Sequence, residues 1–515
     1  MTQAGFLALG LLAYFGWLVA VVYRSAGTGS DHFFHAYYVD LLRRGGRKLL
    51  YAFPNFLNPT PAVDPQYFHW LLSFARGPGQ LLFLSRVINP LFSVLSLAVF
   101  AALLAVESPV APVPWGVKVL LLAFTPHFQH ASNARNYGLS SRGLGLLLFL
   151  LFSVCAYYAG AGSWGWLAGA AACAWLIVGS NIFALQSILL FSAVFLVVFR
   201  QPAMAAATLA GLALFLALHP RYGRHYVRRL WGYWALYADV LAERFILLRH
   251  PSVWREWLVE IPAKWRQKPS AAVWYAYENS LLILVGFQPL ALVAALAWAA
   301  PGGAASAFDL FAGRMASASL ILFAATSFRP TRFFGSPERY VEMAIPFATA
   351  LGADALYRAG GWLPVAACAV YAVALSVFQP WMNVFRRKKT AAADERQDFF
   401  RSVRERVDRD AAGAPVRFIT NNGEWGKYLV HPDWQYVFFW PTVRDVGGIP
   451  IDELIEYYPF IRTDAVERLM DRYAVNYCLM DRKAGAPLGG AVRARVLDES
   501  PLHALYRVEP REGAA

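Results

Sequence analysis

The stretch from Ser30 to Ser73 holds the side chains best suited to chemistry, beginning with Asp31. From Phe33 to Leu42 the apolar residues recur with helical period. This pattern predicts an amphipathic helix lying in the membrane interface with its aromatic face in the headgroups. A carboxylate at the start of such a helix either caps free backbone N–H groups or acts as a catalytic group at the lipid–water boundary. The spacing alone leaves both roles of Asp31 open.

A second group of candidates lies just before a later apolar run. Ser336 suits the N-cap and Pro337 the first position of a helix, so the spacing predicts a helix start there. Free N–H groups at that start favour an anion. Three arginines, whose planar guanidinium groups can bind two phosphate oxygens, surround it: Arg329, Arg332 and Arg339. The alternative is that Glu338 pairs with one of them, but three cations exceed one carboxylate, which favours a phosphate site.

Histidines and carboxylates of the first stretch could also hold a metal ion. The candidate ligands are Asp31, His32, His35, Asp64 and His69. Their spacing repeats no tight ligand pattern, so the metal is left as unknown. His127 and His130 are three apart but lack a third ligand nearby. The sequence contains no nucleophile elbow, Walker loop or paired CxxC motif.

Composition places these candidates in a membrane protein. The 515 residues are 58% hydrophobic and 16% aromatic, which is too apolar for one soluble domain. Apolar runs long enough to cross a bilayer recur from residue 5 to residue 385. We therefore predict an α-helical polytopic membrane domain over 1–385 and a soluble domain over 386–515.

About eleven spans are predicted, including the fifth over about 164–179, the seventh over about 203–218 and the eighth over about 279–300. Their order places most loops on one face. Loops after odd-numbered spans form that face, together with the tail. These four loops hold 21 of the 26 basic residues of the membrane part: 24–78, 126–142, 219–278 and 328–340. In 219–278, cations alternate with tryptophans, which is typical of a helix on the headgroups, with or without a ligand. The other face has only short connectors, so the chemistry is expected on the loop-rich face.

The distribution of charge limits the classes of ligand that the protein is expected to bind. The chain carries +14, but residues from Arg386 onward have 21 Lys/Arg against 20 Asp/Glu, so the excess belongs to the membrane part. This distribution indicates anionic lipid or phosphate-bearing ligands and argues against nucleic acid, which a near-neutral tail would bind poorly. Counting Lys/Arg alone would place the loop-rich face in the cytoplasm. The four cysteines predict no disulfide framework.

The pattern of residues 386–515 predicts a small α/β unit. A helical pattern over 398–410 precedes a strand candidate at 416–420. Further strand candidates are 435–439, 476–480 and 504–508. A helix is predicted over 464–473, between the second and third strands. Asn421-Asn422-Gly423 is interpreted as a turn, since one glycine does not make a phosphate loop.

The order of these parts resembles the bacterial polytopic glycosyltransferases of the GT-C superfamily, of mannosyl- and arabinosyltransferase type, which use polyprenyl-phosphate-linked sugars. Three motifs carry the resemblance: Asp31-x-x-Phe34-His35, Tyr67-Phe68-His69-Trp70-Leu71-Leu72, and Gly335-Ser336-Pro337-Glu338-Arg339-Tyr340. The resemblance implies a multi-pass protein of the bacterial inner membrane whose loop-rich face and tail are extracytoplasmic. This opposes the side favoured by the charge count.

The expected function is therefore transfer of a sugar from a polyprenyl phosphate to a lipid, glycan or protein acceptor whose identity is open. Asp31 would act as general base on an acceptor hydroxyl. The donor phosphate would be held by Arg329, Arg332 and Arg339, with Arg135 helping. His35, His69, Glu338 and Tyr340 would line the site. A divalent metal is possible, and no other cofactor is expected. The alternatives are a transporter or flippase of lipid-linked sugars and a non-catalytic subunit of a surface-glycan assembly complex.

Overall fold

A computed structural model describes most of the chain. The described residues are 3–24, 30–58, 62, 65–108, 111–125, 128, 138–236, 253–300, 306–328, 331, 334–388, 391–437, 445–457, 459–483, 488 and 493–509. They are mainly helical up to residue 411 and form a mixed α/β unit beyond it.

The first part of the chain alternates long apolar helices with shorter amphipathic ones. Its helices up to the second long loop are α1 Gln3–Arg24, α2 Ser30–Arg44, α3 Tyr67–Leu72, α4 Pro78–Glu107, α5 Trp115–Phe124, α6 Arg142–Gly160, α7 Trp164–Ser180, α8 Ile182–Val197, α9 Ala203–Leu218 and α10 Pro220–Leu236. There follow α11 Val253–Arg255, a π-helical turn Glu256–Glu260, α12 Ile261–Gln267, α13 Pro269–Glu278, α14 Ser280–Phe287, α15 Pro289–Ala299, α16 Ala307–Thr326, α17 Glu338–Gly360 and α18 Trp362–Lys388.

By length and composition, three of the described helices can each cross a bilayer: α4 over Gly79–Glu107, α6 and α16. A fourth span results if α14 and α15 count as one. Shorter apolar helices of 10–17 residues accompany them, so the helical membrane architecture is supported and the count of eleven stays a prediction.

The predicted eighth span, about 279–300, is not one straight helix. It breaks at Gln288 and bends by 76° between α14 and α15. Pro289 explains the break, because proline has no N–H to donate and disfavours helical backbone in the residue before it.

The C-terminal unit is built on a five-stranded sheet with strand order β2-β1-β7-β9-β8. Its helices and strands are α19 Ala391–Ala411, β1 Arg417–Thr420, α20 Gly423–Leu429, β2 Gln435–Tyr436, β3 Asp445–Val446, β4 Ile449–Pro450, α21 Ile451–Leu454, β5 Ile455–Tyr457, β6 Phe460–Ile461, α22 Thr463–Tyr473, β7 Tyr477–Asp481, β8 Ala494–Glu499 and β9 His503–Val508. β1 runs parallel to β2 and β7, and β9 lies antiparallel between β7 and β8. The strand β8 and the helix α20 were not predicted. Asn422, interpreted as part of a turn, caps α20 by accepting N–H bonds from Glu424 and Trp425.

The periodicity predicts that the aromatic face of α2 lies in the headgroups, and this prediction is wrong. Phe34, Tyr37 and Tyr38 are buried in a core shared with Phe400 and Phe418 of the C-terminal unit. The stripe is real, but protein covers it instead of lipid. Helix α2 and the first loop therefore share one core with the C-terminal unit.

The first loop also extends the C-terminal sheet. The backbone N–H of Tyr436 in β2 donates to the carbonyl of Asn55 at 2.8 Å, and that of Leu57 donates to the carbonyl of Tyr436 at 2.7 Å. These bonds satisfy the open edge of β2, which would otherwise present unpaired backbone groups. Loop 24–78 and the C-terminal unit are consequently on the same side of the helical bundle.

A buried ion pair joins α5 to α17 within the bundle. Lys118 Nζ lies 2.5 Å from Asp354 Oδ2, and both side chains are at most 4% exposed. The backbone N–H of Val113 donates to the other carboxylate oxygen at 3.1 Å. The basic partner of Asp354 lies 236 positions away in the chain, so no local sequence pattern pairs the two.

Replacing Lys118 with Met is expected to destabilise the fold by about 3–5 kcal/mol, since it leaves a buried carboxylate without its cation. Asp354→Asn in the same chain should recover much of this loss while keeping an acceptor for Val113. Thermal unfolding of the two single variants and the double variant in detergent measures the coupling. Equal melting of Lys118→Met and wild type would show that the pair contributes nothing.

Candidate active site

The first turn of α2 places the backbone of Asp31 at one end of the bundle. The side chain of Asp31 lies outside the described residues, as do Arg135, Arg329 and Arg332, and the metal candidates Asp64, His127 and His130. Their roles stay predictions. What the structure describes here is the start of α2, helix α3 and the start of α17.

His32 anchors the start of α2. Its Nδ1 accepts the backbone N–H of Leu139 at 3.1 Å. Burial, with a smaller contribution from His35, lowers the pKa of His32 to about 4, so the ring is neutral at ordinary pH. Gly138 has a φ of +116°, and a Cβ there would lie 2.7 Å from the His32 Cβ, so only glycine fits. The residue next to Asp31 is thus fixed against the segment that leads into α6.

His35 and His69 meet, although 34 positions separate them. His35 Nδ1 and His69 Nε2 are 2.7 Å apart. His69 Nδ1 lies 3.2 Å from the carbonyl oxygen of Pro65, which can only accept, so this nitrogen carries the proton. Burial lowers the pKa of His69 well below its usual value, so the ring is neutral and its Nε2 accepts from His35.

This pairing defines how His35 is held. His69 is 1% exposed and stacks on Tyr38 with ring centroids 4.5 Å apart. It therefore supports His35 from behind, while His35 is four residues from Asp31 and on the same face of α2. As residues lining a substrate site, both histidines stay predictions.

Helix α3 is fixed in turn against the ends of α7 and α9. The hydroxyl of Tyr67 is 2.6 Å from Nε2 of His219, which follows α9. Its ring covers Gly179, where a Cβ would lie 2.2 Å from a ring carbon. A side chain at Gly179 would displace Tyr67, so glycine is required for this close approach.

Helix α17 begins at Glu338, one residue later than predicted. Pro337 is the residue before the helix, not its first position, and no side chain caps the start. Arg339 places its guanidinium carbon 5.4 Å from the centroid of the Phe183 ring. Tyr340 is buried against the same ring and donates its hydroxyl hydrogen to the carbonyl of Phe334 at 2.9 Å. The start of α17 is thus pinned to the first turn of α8.

Two buried carboxyl groups lie beside this helix start. Glu338 is 2% exposed and accepts the hydroxyl of Ser280 at 2.5 Å. Asn279 caps α14 with its side-chain oxygen and donates from Nδ2 to Glu256 at 3.0 Å. Sequence analysis missed Glu256, Asn279 and Ser280, since nothing in their spacing links them to residue 338.

The start of α2 and the start of α17 lie at the same end of the bundle. Asn181, between α7 and α8, donates to the hydroxyl of Ser141 at 2.9 Å, which ties the start of α6 to the start of α8. Tyr67 touches the end of α7, and Phe183 in the next helix touches Arg339. The helix carrying Asp31 and the helix carrying Arg339 are therefore joined by continuous contacts at one rim.

Within the part of the chain that the structure describes, no three histidine, cysteine, aspartate or glutamate side chains converge as metal ligands. The ring nitrogens discussed above explain this for the histidines: His32 binds a backbone N–H through Nδ1, and His69 uses both nitrogens within the protein. The use of a metal stays open.

Comparisons with known proteins identify the fold. No family model matches the sequence, and no curated protein matches it. ArnT from Cupriavidus metallidurans bound to undecaprenyl phosphate superposes with a TM-score of 0.55 and 11% identity, covering 98% of both chains. The Archaeoglobus fulgidus oligosaccharyltransferase superposes with TM-scores of 0.53 with a tethered acceptor peptide and 0.54 in the apo form, at 11% identity. These cover 92% and 93% of this chain and 69% of the other. Both are GT-C superfamily proteins, so the resemblance stated from the motifs is confirmed at the level of the fold.

Proposed function

We propose that this protein is a membrane glycosyltransferase that transfers a sugar from a polyprenyl phosphate to a lipid, glycan or protein acceptor. The observation that carries the proposal is that the α2 start and the α17 start are linked, through α3, α7 and α8, at one rim of a GT-C fold. The general base must reach the acceptor hydroxyl and the cations must reach the donor phosphate, and these two groups flank the same anomeric carbon, so both sites have to share one rim.

In the proposed reaction, Asp31 takes the proton of an acceptor hydroxyl while the oxygen of that hydroxyl attacks the anomeric carbon. The bond between that carbon and the phosphate oxygen breaks, and the polyprenyl phosphate leaves with the negative charge. Guanidinium groups of Arg329, Arg332, Arg339 and Arg135 stabilise this charge. Oriented cations in a partly dry site contribute more than they would in water.

His35 is assigned a positioning role beside Asp31. Its Nδ1–H is directed to His69, which fixes the ring relative to α2. Tyr340 and Glu338 hold the start of α17, so that Arg339 is placed before the donor arrives. Preorganisation of this kind lowers the cost of orienting groups during the reaction.

We further propose that residues 1–385 form the transmembrane domain and 386–515 an extracytoplasmic domain of a bacterial inner-membrane protein. Contacts between the first loop and β2 support a common side for both. The similarity in fold to a protein bound to undecaprenyl phosphate supports the extracytoplasmic side. The count of basic residues opposes it, but cations that bind a donor phosphate need not act as topology signals.

Mass spectrometry of lipid-linked sugars and surface glycans in a deletion strain tests the proposal. We expect one polyprenyl-phosphate sugar to accumulate and one sugar to disappear from a surface lipid, glycan or protein. The wild-type gene should reverse both changes. If purified protein in vesicles moves the labelled lipid across the bilayer without forming a new glycosidic bond, a transporter replaces the enzyme.

A further inference from the structure

A cavity of about 750 Å³ lies at the end of the bundle opposite the candidate active site. It is bounded by the end of α6, the start of α7, the connection from α8 to α9 and the start of α16. Helix α6 runs from the candidate site to this cavity, and its 19 residues separate the two by roughly 28 Å. Sequence analysis assigned only short connectors to this face.

Two arginines give the cavity its charge. Arg200 and Arg314 both line it, although they are far apart in sequence. They are two of only five basic residues in the membrane part that lie outside the loops of the other face. Arg314 stacks over the ring of Phe199 at 5.9 Å. Among the described residues neither arginine has an ion-pair partner, so two guanidinium groups are available to an anion.

The acidic residues nearby are engaged elsewhere. Glu107 accepts the hydroxyls of Tyr157 and Tyr158 at 2.7 and 2.8 Å, one on each carboxylate oxygen. Asp309 is buried in the first turn of α16, where negative charge is favoured, and interacts electrostatically with Tyr157. The two carboxylates thus build the wall around α4, α6 and α16 and leave the arginines to a ligand.

The backbone adds to the positive potential. Three helices begin at the cavity, since Trp164, Ala203 and Ala307 all line it at the starts of α7, α9 and α16. No side chain caps the starts of α7 and α9. Partial positive charge at helix N-termini attracts phosphate groups, and here it reinforces two side-chain cations.

The remaining walls of the cavity are apolar. Phe195, Met204 and Phe311 line the inside. Trp164 at the mouth is 82% exposed, as expected of a tryptophan at the level of the headgroups. A ligand that fits must therefore combine an anionic head with an apolar tail.

We propose that this cavity binds the phosphodiester headgroup of an anionic phospholipid from the leaflet opposite the candidate active site. Arg200 and Arg314 hold the phosphate oxygens, the helix starts complete the anion site, and an acyl chain lies along the apolar wall. The inference does not depend on the glycosyltransferase proposal, because it uses none of the same residues.

Native mass spectrometry of the purified full-length protein tests this site. Delipidated protein is offered phosphatidylglycerol, phosphatidylcholine or inorganic phosphate. Wild type should retain phosphatidylglycerol in preference to phosphatidylcholine, and millimolar inorganic phosphate should not displace it. Arg200→Gly and Arg314→Gln should each weaken retention about fivefold and together about thirtyfold. Glycine suits position 200, where φ is 55°, so this change adds no backbone strain.

Two further variants separate binding from folding. Arg358→Gln removes one charge from an exposed residue near the end of α17, on the same face but outside the cavity, and should behave as wild type. Arg314→Lys keeps the cation and should retain most of the lipid. The proposal is overturned if the double variant keeps wild-type retention, if phosphatidylcholine binds equally well, or if free phosphate displaces the lipid.

Discussion

Replacing Asp31 with Asn is expected to lower the rate of sugar transfer by roughly 10²- to 10⁴-fold, the usual loss when a general base is removed. Asparagine keeps the size of aspartate and caps helices equally well, so the start of α2 is preserved. It cannot accept the proton of the acceptor hydroxyl. The substitution therefore separates the two roles that the spacing left open for Asp31, since a capping role predicts almost no loss.

The matched control is Asp40→Asn on the same helix. Asp40 pairs with Arg44 at 2.9 Å, and their side chains are 32% and 53% exposed. Such a surface pair contributes about 0–1 kcal/mol, so its loss should leave transfer unchanged. Activity is measured in membranes with a polyprenyl-phosphate sugar, normalised to the amount of folded protein. Full activity of Asp31→Asn would exclude Asp31 as the base.

The positions of the helices could be read from the sequence because apolar runs and their interruptions are local signals. Helices α7 and α9 begin at Trp164 and Ala203, where they were predicted. What covers a helix face is not a local signal. The stripe on α2 showed which side is apolar, but lipid and the C-terminal unit satisfy the same periodicity, and the structure places Phe400 and Phe418 there.

The same reasoning applies to the candidate site. His35 and His69 were singled out separately, and the structure brings them to 2.7 Å, yet no spacing rule could have paired them across 34 positions. Glu256 and Ser280 were missed because their partners, Asn279 in one case and Glu338 in the other, depend on how α14 packs. Residues within a motif could be singled out as candidates, whereas residues that only support them could not.

The opposite face illustrates a different limit. Counting basic residues by loop predicts a rich face and a poor one, but it assigns no role to the five that remain. Arg200 and Arg314 nevertheless line one cavity, and Lys118 forms an ion pair with Asp354. The partner of a charged residue within a bundle depends on how the helices pack, and composition carries no information on that packing.

Replacing Arg339 with Gln is expected to reduce kcat/KM for the donor by roughly 10²- to 10³-fold, as when one group that stabilises developing charge is lost. The KM for the acceptor should change little, because the proposed contact of Arg339 is with the leaving phosphate. Arg339→Lys keeps the charge but loses the planar fork, so we expect it to recover only part of the activity. Kinetics with donor and acceptor varied separately measures both constants.

A substitution at Phe183 tests whether the orientation of Arg339, and not only its charge, matters for binding the donor phosphate. Its ring lies 5.4 Å from the Arg339 guanidinium carbon and 5.4 Å from the Tyr340 ring, so Phe183→Leu leaves the charge present but removes the surface that orients it. A cation–π contact of this kind contributes about 0.5–2 kcal/mol, which predicts a loss of donor kcat/KM of about two- to thirtyfold, smaller than for Arg339→Gln. Arg358→Gln, near the far end of the same helix, is the control for charge. If Arg339→Gln instead raises the acceptor KM as much as the donor KM, Arg339 does not belong to a donor phosphate site.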